Sequence, residues 1–398
     1  MDIESDITLK IFSGAIPVII TLAESDNTPQ NVVNAPRDPL HMLLLRCAYL
    51  PLYSPIIKSH FFLKSPGNSS SGFTVDDSTE LWFSDRGVPL KWHYSIGLLH
   101  DIVSHTTLPI TNPSSAATPS PTINHFSTTT PWRLTLHVSS FPADKIFKSI
   151  ANASLQNDPP RDFYMNALKE SEFIRHISIK KVMSLPKPDQ MLLWNSLSDS
   201  VSLIGGGSIS TVVADWSDLE IQTQLAQVHD AFWGVNQRLM GNVGGGGEPH
   251  QQDASLSPTV SGVGRSVAVR LYLGYDKPVV QDLVSPDGTL LHALHILVPN
   301  LVPTSMLPPT KSEQQPPRNS ETGEGAEQGD PLTSHMKDME LKEKASRTES
   351  SSSLNTPNAK EFKIITHGIQ VPLDTPLIWL SRHLSYPDNF LHLVLAVV

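Results

Sequence analysis

Apolar residues alternate at Ile16, Val18, Ile20 and Leu22, the two-residue period of a strand with one buried face. A second apolar run covers 42–50, and between 54 and 63 the positions Ile56, Ile57, His60 and Phe61 recur at helical spacing. Leu81-Trp82-Phe83, an Asp85-Arg86-Gly87 turn and Leu90-Lys91-Trp92 predict a hairpin. Ser95 is placed to cap a helix through Val103, and Trp132, Leu134, Leu136 and Val138 alternate again. The predicted order is two strands, helix, two strands, helix, strand.

The last third repeats that order. Val267, Val269, Leu271 and Leu273 alternate, 278–284 can pair with them, and 290–298 reads as a helix. Residues 362–369 supply two short strands broken at Gly368; Thr375 as N-cap with Pro376 at the first helical position predicts a helix through Leu384, and 390–397 closes the sheet. This ββαββαβ order is that of a ubiquitin-like β-grasp. Two such blocks enclose a helical one, in which Asp158 before Pro159 marks a start. There Phe163, Ala167 and Ile174 share one direction of the wheel, with Lys169, His176 and Lys180 opposite. Ile221, Leu225, Val228, Phe232, Val235 and Leu239 form a second helical stripe that needs a packing partner.

The expected architecture is therefore α+β: an N-terminal helical segment over 1–14, a first ubiquitin-like domain over 15–145, a helix-rich region over 146–263 and a second ubiquitin-like domain over 264–398. The 33 prolines exceed the usual share of about 5%. They concentrate with Ser, Thr and Gly in 65–78, 106–131, 241–263 and 303–360, stretches too poor in apolar residues to offset their ordering entropy. The last of these carries seven basic and nine acidic residues, the composition of a solvated tether.

The formal net charge of −10 argues against a nucleic-acid protein, which needs a basic face. The charge is uneven, however: 133–194 holds nine Lys or Arg against six Asp or Glu, which makes this the segment to face an acidic partner or an anionic membrane. The absence of a signal segment and of a long apolar run predicts a protein that neither crosses a membrane nor is secreted. One cysteine, Cys47, excludes an internal disulfide and suits a reducing cytoplasm.

Catalytic readings are weak. Cys47 could act as a thioester carrier in the manner of an E2, but on a strand its neighbour Arg46 points to the other face, and a small buried residue is the plainer reading. His292, His295, His367, His383 and His392 lack the thiolates or four-ligand spacing of a structural zinc site. His93, His100 and Asp101 have no nucleophile elbow beside them. Gly205–Gly207 and Gly244–Gly247 lack the Lys-Ser/Thr of a phosphate loop. No cofactor, metal or catalytic residue is expected.

Four segments carry a resemblance. Leu-Ser-Tyr-Pro-Asp-Asn-Phe-Leu-His (Leu384 to His392), Pro-Leu-Lys-Trp-His-Tyr-Ser-Ile-Gly-Leu-Leu (Pro89 to Leu99), Phe-Trp-Gly-Val-Asn-Gln-Arg-Leu-Met (Phe232 to Met240) and Phe-Tyr-Met-Asn-Ala-Leu-Lys-Glu (Phe163 to Glu170) resemble the autophagy protein 5 family. The resemblance implies a non-catalytic scaffold at the preautophagosomal structure, peripheral to its membrane. Lys169 is then the residue joined through an isopeptide bond to the ubiquitin-like autophagy protein 12, with Lys145, Lys148, Lys180 and Lys181 as fallback acceptors. It further implies that the conjugate binds the coiled-coil autophagy protein 16. Together they act like an E3, recruiting the E2 that attaches the ubiquitin-like protein 8 to phosphatidylethanolamine. Trp194, Trp233 and Trp379 are candidates for the protein 16 groove, and Lys180 and Lys181 for membrane contact. A noncovalent ubiquitin-like adaptor is the remaining alternative.

Overall fold

Ala15–Leu22 forms β1 where the alternation predicts it, with Ile16, Val18 and Ile20 buried and Pro17 exposed. The structure, a computed structural model, describes residues 3–24, 38–62, 79–105, 130–150, 158–205, 219–240, 266–307 and 362–397. The expected linkers 65–78 and 241–263, nearly all of 106–131 and residues 308–360 of the last one lie outside the described residues.

Ahead of β1, Ile3–Ser13 forms α1. β2 (Leu40–Leu45), α2 (Ser54–Phe62), β3 (Trp82–Asp85), β4 (Val88–Pro89), α3 (Ile96–His105) and β5 (Trp132–His137) complete the first sheet domain. Its strand order is β2-β1-β5-β3-β4, with β1 and β5 parallel and the other neighbours antiparallel. The 42–50 run is split: β2 stops at Leu45, Arg46 and Cys47 make a turn, and Pro51 opens a 3-10 turn over Leu50–Tyr53. Cys47 therefore does not lie on a strand.

β6 (Val267–Tyr272), β7 (Leu283–Val284), α8 (Leu290–Leu297), β8 (Phe362–Thr366), β9 (Ile369–Val371), α9 (Leu377–His383) and β10 (Leu391–Val397) build the second sheet in the equivalent order β7-β6-β10-β8-β9, again with a parallel central pair. The same two-residue turn closes the same hairpin in both domains. Arg86-Gly87 (φ 49° and 80°) joins β3 to β4, and His367-Gly368 (φ 49° and 78°) joins β8 to β9. Positive φ at both positions matches the right-handed twist of the strands, and glycine adopts it without steric cost.

Two expected caps differ. Thr375 does not cap α9: its hydroxyl donates to the Pro372 carbonyl at 2.8 Å, and Pro376, which has no N–H to place inside the helix, stands at the cap position. Ser95 does precede α3, but its hydroxyl has no hydrogen-bond partner.

Between the sheets lie α4 (Pro159–His176), α5 (Lys180–Ser184), α6 (Lys187–Gly205) and α7 (Leu219–Met240). Leu225, Phe232, Val235 and Leu239 of the expected α7 stripe are buried in one cluster with Leu193 and Leu197 of α6, Leu168 of α4 and Phe12 of α1. Truncating one such leucine to alanine typically costs about 2–5 kcal/mol. The helices are thus packed on each other and on α1, and through Tyr49 in the same cluster on the first sheet domain.

Candidate functional site

The site is built on α4. Asp158 accepts a hydrogen bond from the Arg161 N–H at 3.4 Å, as an N-cap does, and prolines occupy the first turn, where their missing donors leave nothing unpaired. The helix ends at Ile177, whose left-handed φ of 54° is unusual for a β-branched residue.

The inward face of α4 is Tyr164, Leu168, Ser171, Glu172 and Arg175. This corrects the expected Phe163, Ala167 and Ile174 direction. Ile174 is buried, but Ala167 is half-buried and Phe163 is 38% exposed, packing its ring on Trp92, His93 and Phe147. Polar members took the core stripe because each has a tertiary partner that periodicity cannot show. Tyr164 donates to the Pro387 carbonyl at 3.2 Å. Arg175 donates to Ser381 Oγ at 2.9 Å and to the Asn389 carbonyl at 2.7 Å. Burial lowers the Arg175 pKa to about 10, against the opposing pull of Asp388. The Glu172 carboxylate accepts the Lys181 and Val182 N–H groups at 2.7 and 2.8 Å and so caps α5.

Lys169 follows Leu168 by one residue, about 100° around the helix, and so leaves the buried face. It is half-exposed and has no hydrogen-bond or ion-pair partner among the described residues. Its neighbour Glu170 is occupied elsewhere, paired with Arg270 of β6 at 2.6 Å and accepting from Gln281 at 3.3 Å. Lys180 is exposed beside the exposed Ile177, Ile179 and Met183. Lys181 is half-buried, its amine 3.3 Å from His176 Nε2; burial chiefly, with Arg175, lowers its pKa while Glu172 opposes. Lys145 and Lys148 are exposed on the segment leading to α4.

The three tryptophans separate. Trp194 is buried in the helical core, its ring 6.1 Å from Tyr49 and 5.6 Å from Tyr164. Trp233 is half-buried and stacked on His229, and Trp379 is 40% exposed and stacked on His383 at 4.7 Å. Trp233 and His383, on whose ring Trp379 stacks, line a small cavity of about 20 Å³ with Phe12 at the junction of α1, α7 and α9.

Cys47 is 3% exposed, and burial pushes its thiol up to about 12 despite Arg46. A thiol so held is not an attacking thiolate near neutral pH. The ring nitrogens of His292 and His295 are used locally, on Thr289 and on the Val302 carbonyl. His100 and Asp101 belong to a different arrangement: Asp101 pairs with Arg46 and accepts the Gly368 N–H at 2.9 Å, which ties α3 to the second sheet domain. Among the described residues no group of three or more His, Cys, Asp or Glu side chains is placed to hold a metal ion, and no helix is long and apolar enough to cross a membrane.

Sequence reasoning missed a cavity of about 460 Å³ where the three units meet, lined by His93 and Ser95, by Phe163, Asn166 and Glu170 of α4, and by Arg270 and Tyr272 of β6. Its walls come from segments far apart in the chain, near residues 95, 165 and 270, so no local pattern announces it. The available signal was that lining residues fall inside the family segments: His93 and Ser95 in Pro89–Leu99, Phe163, Asn166 and Glu170 in Phe163–Glu170, and Asp388 and His392 in Leu384–His392.

Comparison with known proteins agrees along the chain. Residues 11–138 match the family description "Autophagy protein ATG5, UblA domain", 158–200 match the "alpha-helical bundle region" and 266–395 the "UblB domain" of the same family. Proteins named Autophagy protein 5 are similar to it over most of their length. That of Neosartorya fischeri is 28% identical over 310 residues, covering 76% of this chain and 84% of that protein. That of Drosophila melanogaster is 24% identical, covering 91% and 88%, and that of Oryza sativa subsp. japonica is 27% identical, covering 98% and 93%. The crystal structure of Kluyveromyces marxianus Atg5 has the same fold, with a TM-score of 0.53 at 17% identity over 98% of this chain and 99% of that one. With two ubiquitin-like domains around a helical bundle, and family matches to all three in chain order, the chain belongs to the autophagy protein 5 family.

Proposed function

We propose that this chain is an autophagy scaffold that accepts autophagy protein 12 on Lys169. The observation that carries the reading is the state of that side chain: half-exposed, outside the buried face of α4, and free of partners among the described residues. A conjugation acceptor needs such an amine. Its deprotonated Nζ attacks the carbonyl of the partner's C-terminal thioester, the C–N bond forms as the C–S bond breaks, the E2 cysteine leaves as thiolate, and the amine's proton passes to solvent. The helix beneath it is fastened to the second ubiquitin-like domain by Tyr164 and Arg175 and packs Phe163 on Trp92 and His93 of the first, which places the acceptor between the two.

Family membership supports the rest of the reading. The conjugate, bound to autophagy protein 16, acts like an E3 by holding the charged E2 of protein 8 near phosphatidylethanolamine, converting a bimolecular encounter into an effectively intramolecular one. The Trp233 and Trp379 junction is the better supported part of the protein 16 groove, since Trp194 is enclosed by Tyr49 and Tyr164. Lys180 and Lys181 contact the membrane at the preautophagosomal structure. The chain itself supplies no catalytic residue, and a thioester carrier at Cys47 is disfavoured by the burial of that thiol.

Incubation with activated protein 12 and its conjugating enzymes, followed by denaturing gels with and without thiol reductant, tests this. A reductant-resistant adduct supports the acceptor role. A reductant-labile adduct would favour the carrier, and no adduct would favour a noncovalent adaptor.

A further inference from the structure

The corner where α4 gives way to α5 carries an apolar surface that the fold does not use. Phe173, Ile177, Ile179 and Met183 are exposed, Ile177 at 55% and Met183 at 59%, while Ile174 and Val182 among them are buried. The exposed four stand in two pairs. The Phe173 carbonyl accepts the Ile177 N–H at 2.7 Å and the Ile179 carbonyl accepts the Met183 N–H at 3.0 Å, so each pair lies one turn apart on one side. Glu172 of α4, by accepting the Lys181 and Val182 N–H groups, holds the two pairs together. None of the four lines either cavity described above, and together they form a surface rather than a pocket.

Ile177 adds an independent observation. Its left-handed backbone (φ 54°, ψ 34°) is one that a β-branched residue adopts only under strain, and glycine or asparagine would end the helix there without it. Packing does not offset the strain, because the side chain is more than half exposed. Residues held in such conformations cluster where a protein meets a ligand or surface.

The charge around the corner points to the partner. From Phe173 to Pro188 the chain has no acidic residue but carries Lys180, Lys181 and Lys187, of which Lys180 and Lys187 are exposed. The flanking carboxylates are engaged internally, Glu172 on α5 and Asp189 on Arg238 at 2.7 Å. Apolar side chains interleaved with lysines match the boundary of an anionic bilayer, where the apolar groups reach the acyl region and the amines stay at the phosphates. An amphipathic partner helix docks in a groove instead.

We propose that the α4–α5 corner inserts Phe173, Ile177, Ile179 and Met183 among the lipids of an anionic membrane, so that the chain selects loosely packed or strongly curved bilayers. The proposal rests on the membrane contact read above at Lys180 and Lys181 and goes beyond it. Lysines alone give binding that salt screens away and that ignores lipid packing. Inserted side chains need gaps between headgroups and add a salt-resistant part.

The test uses the full chain with Met183→Cys bearing an environment-sensitive fluorophore, Cys47 being too buried to react. Lys10→Cys, at an exposed position of α1, carries the same label as a reference. Phosphatidylserine–phosphatidylcholine vesicles of one composition, small sonicated or large extruded, are added with nitroxide lipids as quenchers. Expected are a blue shift and quenching at the corner, neither on α1, tighter binding to the small vesicles, and partial retention of binding in high salt. Ile177→Asn suits the left-handed turn, so it should keep or raise the unfolding midpoint while weakening vesicle binding about tenfold. Met183→Ser should give a loss of the same kind at a position without backbone strain. Binding that vanishes in high salt, ignores vesicle size and is unchanged in both variants would overturn insertion and leave the lysine contact standing. Vesicle binding without quenching at the corner would overturn it too. No binding to either vesicle at low salt would remove the lysine contact as well.

Discussion

Arg175 of α4 donates to the main-chain carbonyl of Asn389, in the loop before β10, at 2.7 Å. One guanidinium thus fastens the helix bearing Lys169 to the second ubiquitin-like domain, with Ser381 and Ser385 as further acceptors. Arg175→Met removes the donors and orphans a buried carbonyl, which typically costs about 1–3 kcal/mol. Urea unfolding is expected to show a loss of that size, and Arg175→Lys should recover little because an ammonium cannot span the fork. Unchanged stability in the methionine variant would mean that the helix is anchored elsewhere.

The two equivalent hairpin turns permit an internal comparison. A Cβ added at Gly87 meets nothing within 4 Å, whereas one at Gly368 comes within 3.0 to 3.1 Å of three guanidinium atoms of Arg46, a group held in place by Asp101. Gly87→Ala should cost the left-handed backbone penalty alone, about 1–2 kcal/mol. Gly368→Ala should cost measurably more in the same unfolding assay, because it also displaces Arg46 from Asp101, the carboxylate that accepts the Gly368 N–H across the two domains. Equal costs would show that the Arg46 contact yields freely.

His367 stacks on Tyr386 at 3.8 Å, and burial, aided by Arg46, lowers its pKa to about 3. A folded pKa below the unfolded value of about 6.5 means that stability is fully present above pH 6.5 and is lost as pH falls toward 3. His367→Asn keeps a residue that tolerates the left-handed turn and removes the titration. The expected result is lower stability at pH 7.5 but a shallower decline on acidification, by about one proton's worth of slope. An identical slope in both proteins would assign the acid sensitivity to other groups.

Lys180 is exposed beside exposed apolar side chains, and Lys181 is partly occupied by His176. Near an anionic membrane each surface cation contributes about 1 kcal/mol. Lys180→Glu should therefore weaken co-sedimentation with anionic liposomes more than Lys181→Glu does, with both losses shrinking at high salt. Unchanged co-sedimentation of the double variant at low salt would remove this surface from the account.

Both β-grasp domains were legible in the sequence because their strands alternate at a period of two and their hairpin turns carry glycine; residues such as Ile16, Val18, Val267 and Val269 needed no tertiary information. The family segments were legible as well. The orientation of α4 was not. Its buried face includes Ser171, Glu172 and Arg175, polar residues stabilised by partners as far away as Asn389, and a hydrophobic wheel turns such a helix toward Phe163 instead. Thr375 misled for a related reason: a good capping residue beside a proline spent its hydroxyl on the preceding turn. The junction cavity was invisible because it is a property of three segments assembled together.

The most direct test of the acceptor assignment is peptide mapping by mass spectrometry of the adduct formed by the unmodified chain and by Lys169→Arg. Arginine keeps the positive charge and most of the stem but is effectively never deprotonated, so it cannot attack a thioester. At a half-exposed position it should change stability by no more than about 0.5 kcal/mol. The account predicts an isopeptide branch on Lys169 in the unmodified chain and no adduct on a normally folded Lys169→Arg protein. A branch mapped to Lys145, Lys148, Lys180 or Lys181, with Lys169 unmodified, would contradict it.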